Sequence, residues 1–291
     1  MKPIKSVVYS FFLGGLIALI AQAMLACTKA AFTGTPLQFW TGGSVLLLLG
    51  IMGCIFGGLG IYQKFEKWAT FGSLLPFSGF AMAVGMKMVG PYTTKNESIG
   101  KSIWQGAWLV IWFNVLGAVV CILFGYLCTI GGIVTPTTPS NSSELIFPMA
   151  FLGGGIMTGF FQIVYLVWKK VTPKCIPLWV LLLGWMLGAL LAPCGFSGWL
   201  ASTFGEGFAA MIPVGGYNMY NVGVCFALGE ISEGFVHLGG FMLAVFGLFF
   251  TGLATFLIYR AKFGRMDIAH VHLQMAKDSL AEAEKSLRAA R

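Results

Sequence analysis

Six runs of about twenty or more apolar residues constrain this chain more than any other feature; they lie at 6–27, 39–62, 103–131, 146–168, 176–198 and 236–259. About 20 such residues carry an α-helix across the hydrocarbon core of a bilayer. Inside lipid every backbone N–H and C=O must be satisfied by the chain itself, which favours helices over open strands. Only 10% of the residues are charged and 57% are hydrophobic, against about 25% charged in a soluble domain. So few charges cannot cover a water-facing surface, which excludes a conventional soluble enzyme and a disordered chain. The 40 glycines show no collagen period and suit closely packed membrane helices.

Two further apolar stretches, 68–90 and 200–226, are interrupted near their middles by Pro76-Phe77-Ser78-Gly79 and Pro213-Val214-Gly215-Gly216. Proline removes a backbone donor and clashes with the preceding turn, and glycine permits close backbone approach. The interruptions belong to an internal repeat. Phe11-Phe12-Leu13-Gly14-Gly15 through Gln22 is echoed by Phe151-Leu152-Gly153-Gly154-Gly155 through Gln162, and Phe71 through Phe80 is echoed by Phe208 through Tyr217. Each half reads as two spans, one broken segment, then a third span.

The net charge of +8 does not mark a nucleic-acid surface, because the lysines cluster at the ends of the apolar runs. With Lys2 and Lys5 inside, the first run is an uncleaved anchor. If 68–90 enters and turns back, Lys64, Lys67, Lys87, Lys95, Lys101, Lys169, Lys170 and Lys174 all stay inside with the basic tail. Lys29 alone among the lysines before the tail is then outside, together with Glu144, Glu206, Glu230 and Glu233. Two kinked full spans would instead give eight crossings and move several lysines outside, so the first arrangement is preferred. The expected fold is an all-α polytopic membrane protein with six transmembrane helices and two broken re-entrant segments in an inverted-topology repeat. Its parts are a first membrane repeat (1–131), an external linker (132–145), a second, inverted repeat (146–259) and a cytoplasmic helix (260–291). The expected location is a bacterial inner membrane, crossed many times, with both termini cytoplasmic.

Broken segments at matched positions, meeting near the midplane, build the permeation sites of many transporters. The expected path therefore holds Gln22, Pro76, Ser78, Gly79, Gln162, Pro213, Gly215, Gly216, Tyr217 and Asn218. Half-helix N-termini facing such a path favour an anion. Gln22 and Gln162 are buried amides that need partners; they either cap the broken segments or line the path. Tyr217 either stacks on an aromatic solute or packs. Glu206, Glu230, Glu233 and His237 form an expected external mouth, where the last three either sense pH or bind a cation, or are simply solvated. The seven cysteines form no CxxC pair and no cluster with histidine, so they read as packing residues and no metal or cofactor is expected. No enzyme signature is present.

Three blocks also carry a family resemblance: Phe11-Phe12-Leu13-Gly14-Gly15-Leu16-Ile17 with Gln22; Gly57-Gly58-Leu59-Gly60-Ile61-Tyr62; and Leu75-Pro76-Phe77-Ser78-Gly79-Phe80. From Phe11 to about Gly85 the chain resembles the stage V sporulation membrane proteins of the AC/AE type. Glu233-Gly234-Phe235-Val236 resembles a later element of the same family, placed here in the second half. Members are usually about half this length, so the chain looks like two fused units of which the second has drifted. The resemblance implies a membrane channel or transporter, and its sporulation members are associated with moving dipicolinic acid and its calcium salt.

Beyond Met266 the chain turns polar. Met266, Leu273, Leu280 and Leu287 recur every seven residues, with Ala269, Ala276, Ala283 and Ala290 three positions after each. Such a heptad pairs helices between subunits, or lies as one amphipathic helix on the protein or on lipid; the strict repeat favours self-association. The function expected is a channel or transporter for a small anionic organic solute. The alternative is a non-transporting scaffold or sensor subunit. Expected partners are the bilayer, the solute and further copies of the chain, and no nucleic acid.

Overall fold

The structure is a computed structural model, and it describes residues 3–133, 135, 143, 145–207 and 213–289. Among these residues the fold is all-helical. Most of the expected linker at 132–145, the stretch between residues 208 and 212, and the side chains of Pro213, Ala283, Leu287 and Ala290 lie outside the described residues. The helices are α1 (Pro3–Phe32), α2 (Thr41–Gly58), α3 (Tyr62–Trp68), α4 (Thr70–Leu74), α5 (Phe77–Thr94) and α6 (Ile99–Ile130). They continue with α7 (Ile146–Val171), α8 (Pro177–Leu190), α9 (Phe196–Phe204), α10 (Pro213–Ala227), α11 (Ile231–Phe263) and α12 (Ile268–Ala289).

Among the described residues five helices are long and apolar enough to cross a membrane: α1, α2, α6, α7 and α11. The chain is a multi-pass membrane protein. The run at 176–198 differs from expectation. Its helix, α8, has 14 residues and stops at Leu190, about 21 Å of rise against a core of about 30 Å. Pro193 cannot donate within a continuing helix, and Gly195 adopts φ +70°, so the chain turns before α9. Two other helix ends have a plain local cause. Ser98 caps α6 by accepting from Lys101 N, and α2 closes on Gly60 at φ +74°, whose N–H returns to Gly57 O.

The helix pairings recur with the halves exchanged. The first helices of the two halves, α1 and α7, pack on each other. The helix after the first break, α5, packs on α11, and its counterpart α10 packs on α6. Likewise α5 packs on α2 as α10 packs on α8, and α2 meets α11 as α8 meets α6. Small residues set these approaches. A methyl group on Gly14 would collide with Thr158, and one on Gly15 would meet Phe151 O at 2.6 Å. Large apolar side chains on the outer faces of α6 and α11 remain exposed, among them Val115, Leu123, Phe246 and Phe250, as a lipid-facing surface requires.

Candidate functional site

The first break lies between α4 and α5. Pro76 stands just ahead of α5 with extended backbone (φ −64°, ψ 151°), so the helix cannot run through it. The two short arms are then pressed together, since a methyl group on Gly79 would collide with the carbonyl of Ser73. Ser78 is fully buried. Tyr62, on α3, braces the break: its hydroxyl donates to Ser73 O (3.2 Å) and meets Ser78 Oγ (2.8 Å), one on each side of Pro76. The sequence carried Tyr62 only as the end of a Gly-Leu-Gly-Ile-Tyr block, with nothing to give it this role.

The second expected break falls between α9 and α10, with Pro213 at the start of α10; residues 208–212 of it lie outside the described residues. A methyl group on Gly216 would collide with the carbonyl of Trp185 on α8, and one on Gly215 with the Trp185 ring. Tyr217 is half-buried against the core.

The two glutamines serve the breaks crosswise. Gln162, on α7 in the second half, accepts through Oε1 from Phe71 N of α4 (3.0 Å) and from Ser10 Oγ (3.1 Å), and its Nε2 donates to Ser6 Oγ (2.8 Å). Gln22, on α1 in the first half, accepts through Oε1 from Gly207 N, in the connection between α9 and α10 (2.7 Å). The leading N–H groups of a helix have no acceptor within it, and Phe71 is the second residue of α4. Of the two roles left open for the glutamines, the geometry is that of capping.

A cavity of about 430 Å³ lies where the halves meet. Phe77 and Phe80 of α5 border it, as do Gly215 and Asn218 of α10, Asn114 of α6 and Ala244 of α11. Its aromatic wall is a run of near-parallel rings, Phe113 on Trp185 (18°, 5.8 Å) and Trp185 on Phe241 (22°, 5.8 Å). Asn114 is held in place by donating to Val110 O (2.8 Å). The ionisable residues in the lining are Glu206 and His237. Glu206 is paired with Lys29 at 2.6 Å, which joins the one lysine expected outside to an expected mouth acid. His237 lies 3.8 Å from Glu233, and both are exposed, as is Glu230 at the start of α11.

Of the fourteen residues expected at the path and mouth, the structure therefore brings Gly215, Asn218, Glu206 and His237 together around the cavity. Pro76, Ser78, Gly79, Gly216, Gln22 and Gln162 shape the breaks behind it. Trp185 and Phe113 line the cavity without having been assigned to the path from sequence. An aromatic ring in an apolar run carries no signal that separates cavity from core. Among the described residues no group of three or more His, Cys, Asp or Glu is placed to hold a metal ion.

Residues 6–130 match the model of a family described as SpoVAC/SpoVAEB sporulation membrane protein. The resemblance read over Phe11 to Gly85 is thereby borne out, and it continues to the end of α6. No curated protein and no solved structure matches the chain.

Proposed function

We propose that this chain, whose residues 6–130 form a SpoVAC/SpoVAEB-type membrane unit, is a channel or transporter for a small anionic organic solute and performs no chemistry on it. One observation carries the reading: the helices that follow both breaks, α5 and α10, border a single cavity. The N-terminal turn of a helix carries about half a positive charge, so two such turns at one cavity favour an anion; among the described residues the lining carboxylate, Glu206, is offset by its pairing with Lys29. The ring wall suits a planar body, and a dipicolinate-like dicarboxylate is the cargo that the family resemblance implies.

An inverted repeat with two re-entrant segments accounts for the exchanged helix pairings. Phe77 faces Gly50, and the backbones of Ser78 and Gly53 touch, while Met82 lies at Gly57. Thus α5 starts level with the middle of α2 and runs alongside it toward the end that holds Lys67, Lys169 and Arg265. In this reading that basic end is cytoplasmic, as are both termini, and the Lys29–Glu206 end faces outward across a bacterial inner membrane. A second reading, a non-transporting scaffold or sensor subunit, draws on the exposed Leu273 and Leu280 of α12.

Flux into proteoliposomes tests the first reading. Wild-type protein should accelerate dicarboxylate entry over empty vesicles. Ala244→Trp, which fills the cavity, should abolish the acceleration while the protein still reconstitutes. Equal rates for wild type and Ala244→Trp would remove the cavity from the path, and no acceleration of any organic anion would favour the scaffold.

A further inference from the structure

His272, on α12, uses both ring nitrogens on a distant part of the chain. Its Nε2 lies 3.0 Å from Gly60 O, and its Nδ1 lies 2.9 Å from Lys67 Nζ. A lysine ammonium can only donate. Nδ1 therefore accepts, and the ring proton sits on Nε2, which donates to Gly60 O. Only the neutral imidazole can make both bonds. The contact is part of a docked face, because Val271 is fully buried and Ile268 and Met275 pack on the same core. A methyl group on Gly60 would touch Val271 at 3.2 Å and Ile268 at 3.7 Å.

We propose that His272 is a proton-sensitive latch that holds the C-terminal helix on the corner between α2 and α3. A proton added to Nδ1 removes the bond from Lys67 and leaves two positive charges in contact. The charged groups around the ring oppose that proton on balance. From α3, Lys64 and Lys67 repel it, while Glu66 lines the same cavity of about 360 Å³ as His272. From α7 Tyr165 lines the cavity, with Lys169 Nζ 5.5 Å from the centre of its ring, a further positive charge on that side. On α12 and just before it, Asp267 is engaged with His270 (2.8 Å), and Arg265 donates to Tyr92 O (3.0 Å) and Asn96 Oδ1. Burial, then the two lysines, hold the His272 pKa below the ordinary 6.5 against the opposing pull of the Gly60 bond.

The sign follows by linkage. A free tail takes up the proton near the ordinary value, and the docked tail takes it up less readily. Docking is at full strength above that value and weakens as the pH falls below it. The effect reaches the first break through Tyr62, which leaves the same corner to hold Ser73 and Ser78.

Hydrogen–deuterium exchange on the full chain in nanodiscs, at about pH 8 and about pH 5.5 and corrected for intrinsic exchange, reads the latch directly. Wild type should lose protection at 58–64 and 266–275 at the lower pH. His272→Gln, whose amide can donate to Gly60 and accept from Lys67, should stay protected at both. His270→Gln should respond as wild type does. Lys67→Met, which leaves α12 untouched, should shrink the response, because the charge that opposes the proton is gone. A wild type equally protected at both pH values, a His272→Gln that also loses protection, a His270→Gln without response, or a Lys67→Met with the full wild-type response each overturns the latch. No flux is measured, so failure here is separate from failure of the transport reading.

Discussion

Gln162 shows how much depends on one amide. It is 1% exposed and makes three hydrogen bonds, to α4 and twice to α1. Hydrogen bonds between membrane helices average only about 0.6 kcal/mol when both partners find substitutes. Phe71 N–H sits at the start of a five-residue helix and has no such substitute. Gln162→Leu should therefore cost about 1–3 kcal/mol, the range for a buried donor left unmade. A lowered thermal midpoint of the purified protein, with faster exchange at the Phe71 amide, is the expected result; unchanged exchange there would show that the cap does not hold the break. The sequence made Gln22 and Gln162 legible as a matched pair of buried amides. It did not reveal that each serves the opposite half, because residue spacing encodes positions along one helix and not the partner across a crossing. For the same reason Tyr62 and Trp185 were invisible as parts of the site.

At the scale of elements, long uninterrupted apolar runs were read well, since nothing but a helix satisfies their backbone in lipid. The shortness of α8 was missed because 176–198 counts as apolar throughout, whereas Pro193 and Gly195 end the helix early. The tail was legible as a helix but carries two faces. Val271 and Met275 dock on the body, whereas Leu273 (55% exposed) and Leu280 (66%) point away from it. Among the described heptad residues, Met266, Leu273 and Leu280 are thus left exposed. We expect deletion of 266–291 to lower the mass of the purified oligomer, measured by light scattering. An unchanged mass would leave those leucines to lipid or to another protein.

At the scale of the whole molecule, the helices of one half pack largely on those of the other, α1 on α7, α5 on α11 and α10 on α6. The orientation is testable separately from the cavity. In a background lacking the native cysteines, Asn96→Cys should resist a membrane-impermeant thiol reagent added outside intact cells, and Glu230→Cys should react. Labelling of Asn96→Cys from outside would remove the re-entrant first break. The crosswise caps carry one more consequence, for ancestry. In this chain each half draws an amide from the other, Gln162 for Phe71 and Gln22 for Gly207. Joining two copies in one polypeptide turns a pairing that depends on concentration into a fixed ratio of one to one. It also frees the two members to diverge, provided each keeps the glutamine its neighbour uses. If the two halves arose in this way, the differences around Gly57-Gly58 and the shared Gln22 and Gln162 are what such divergence would leave.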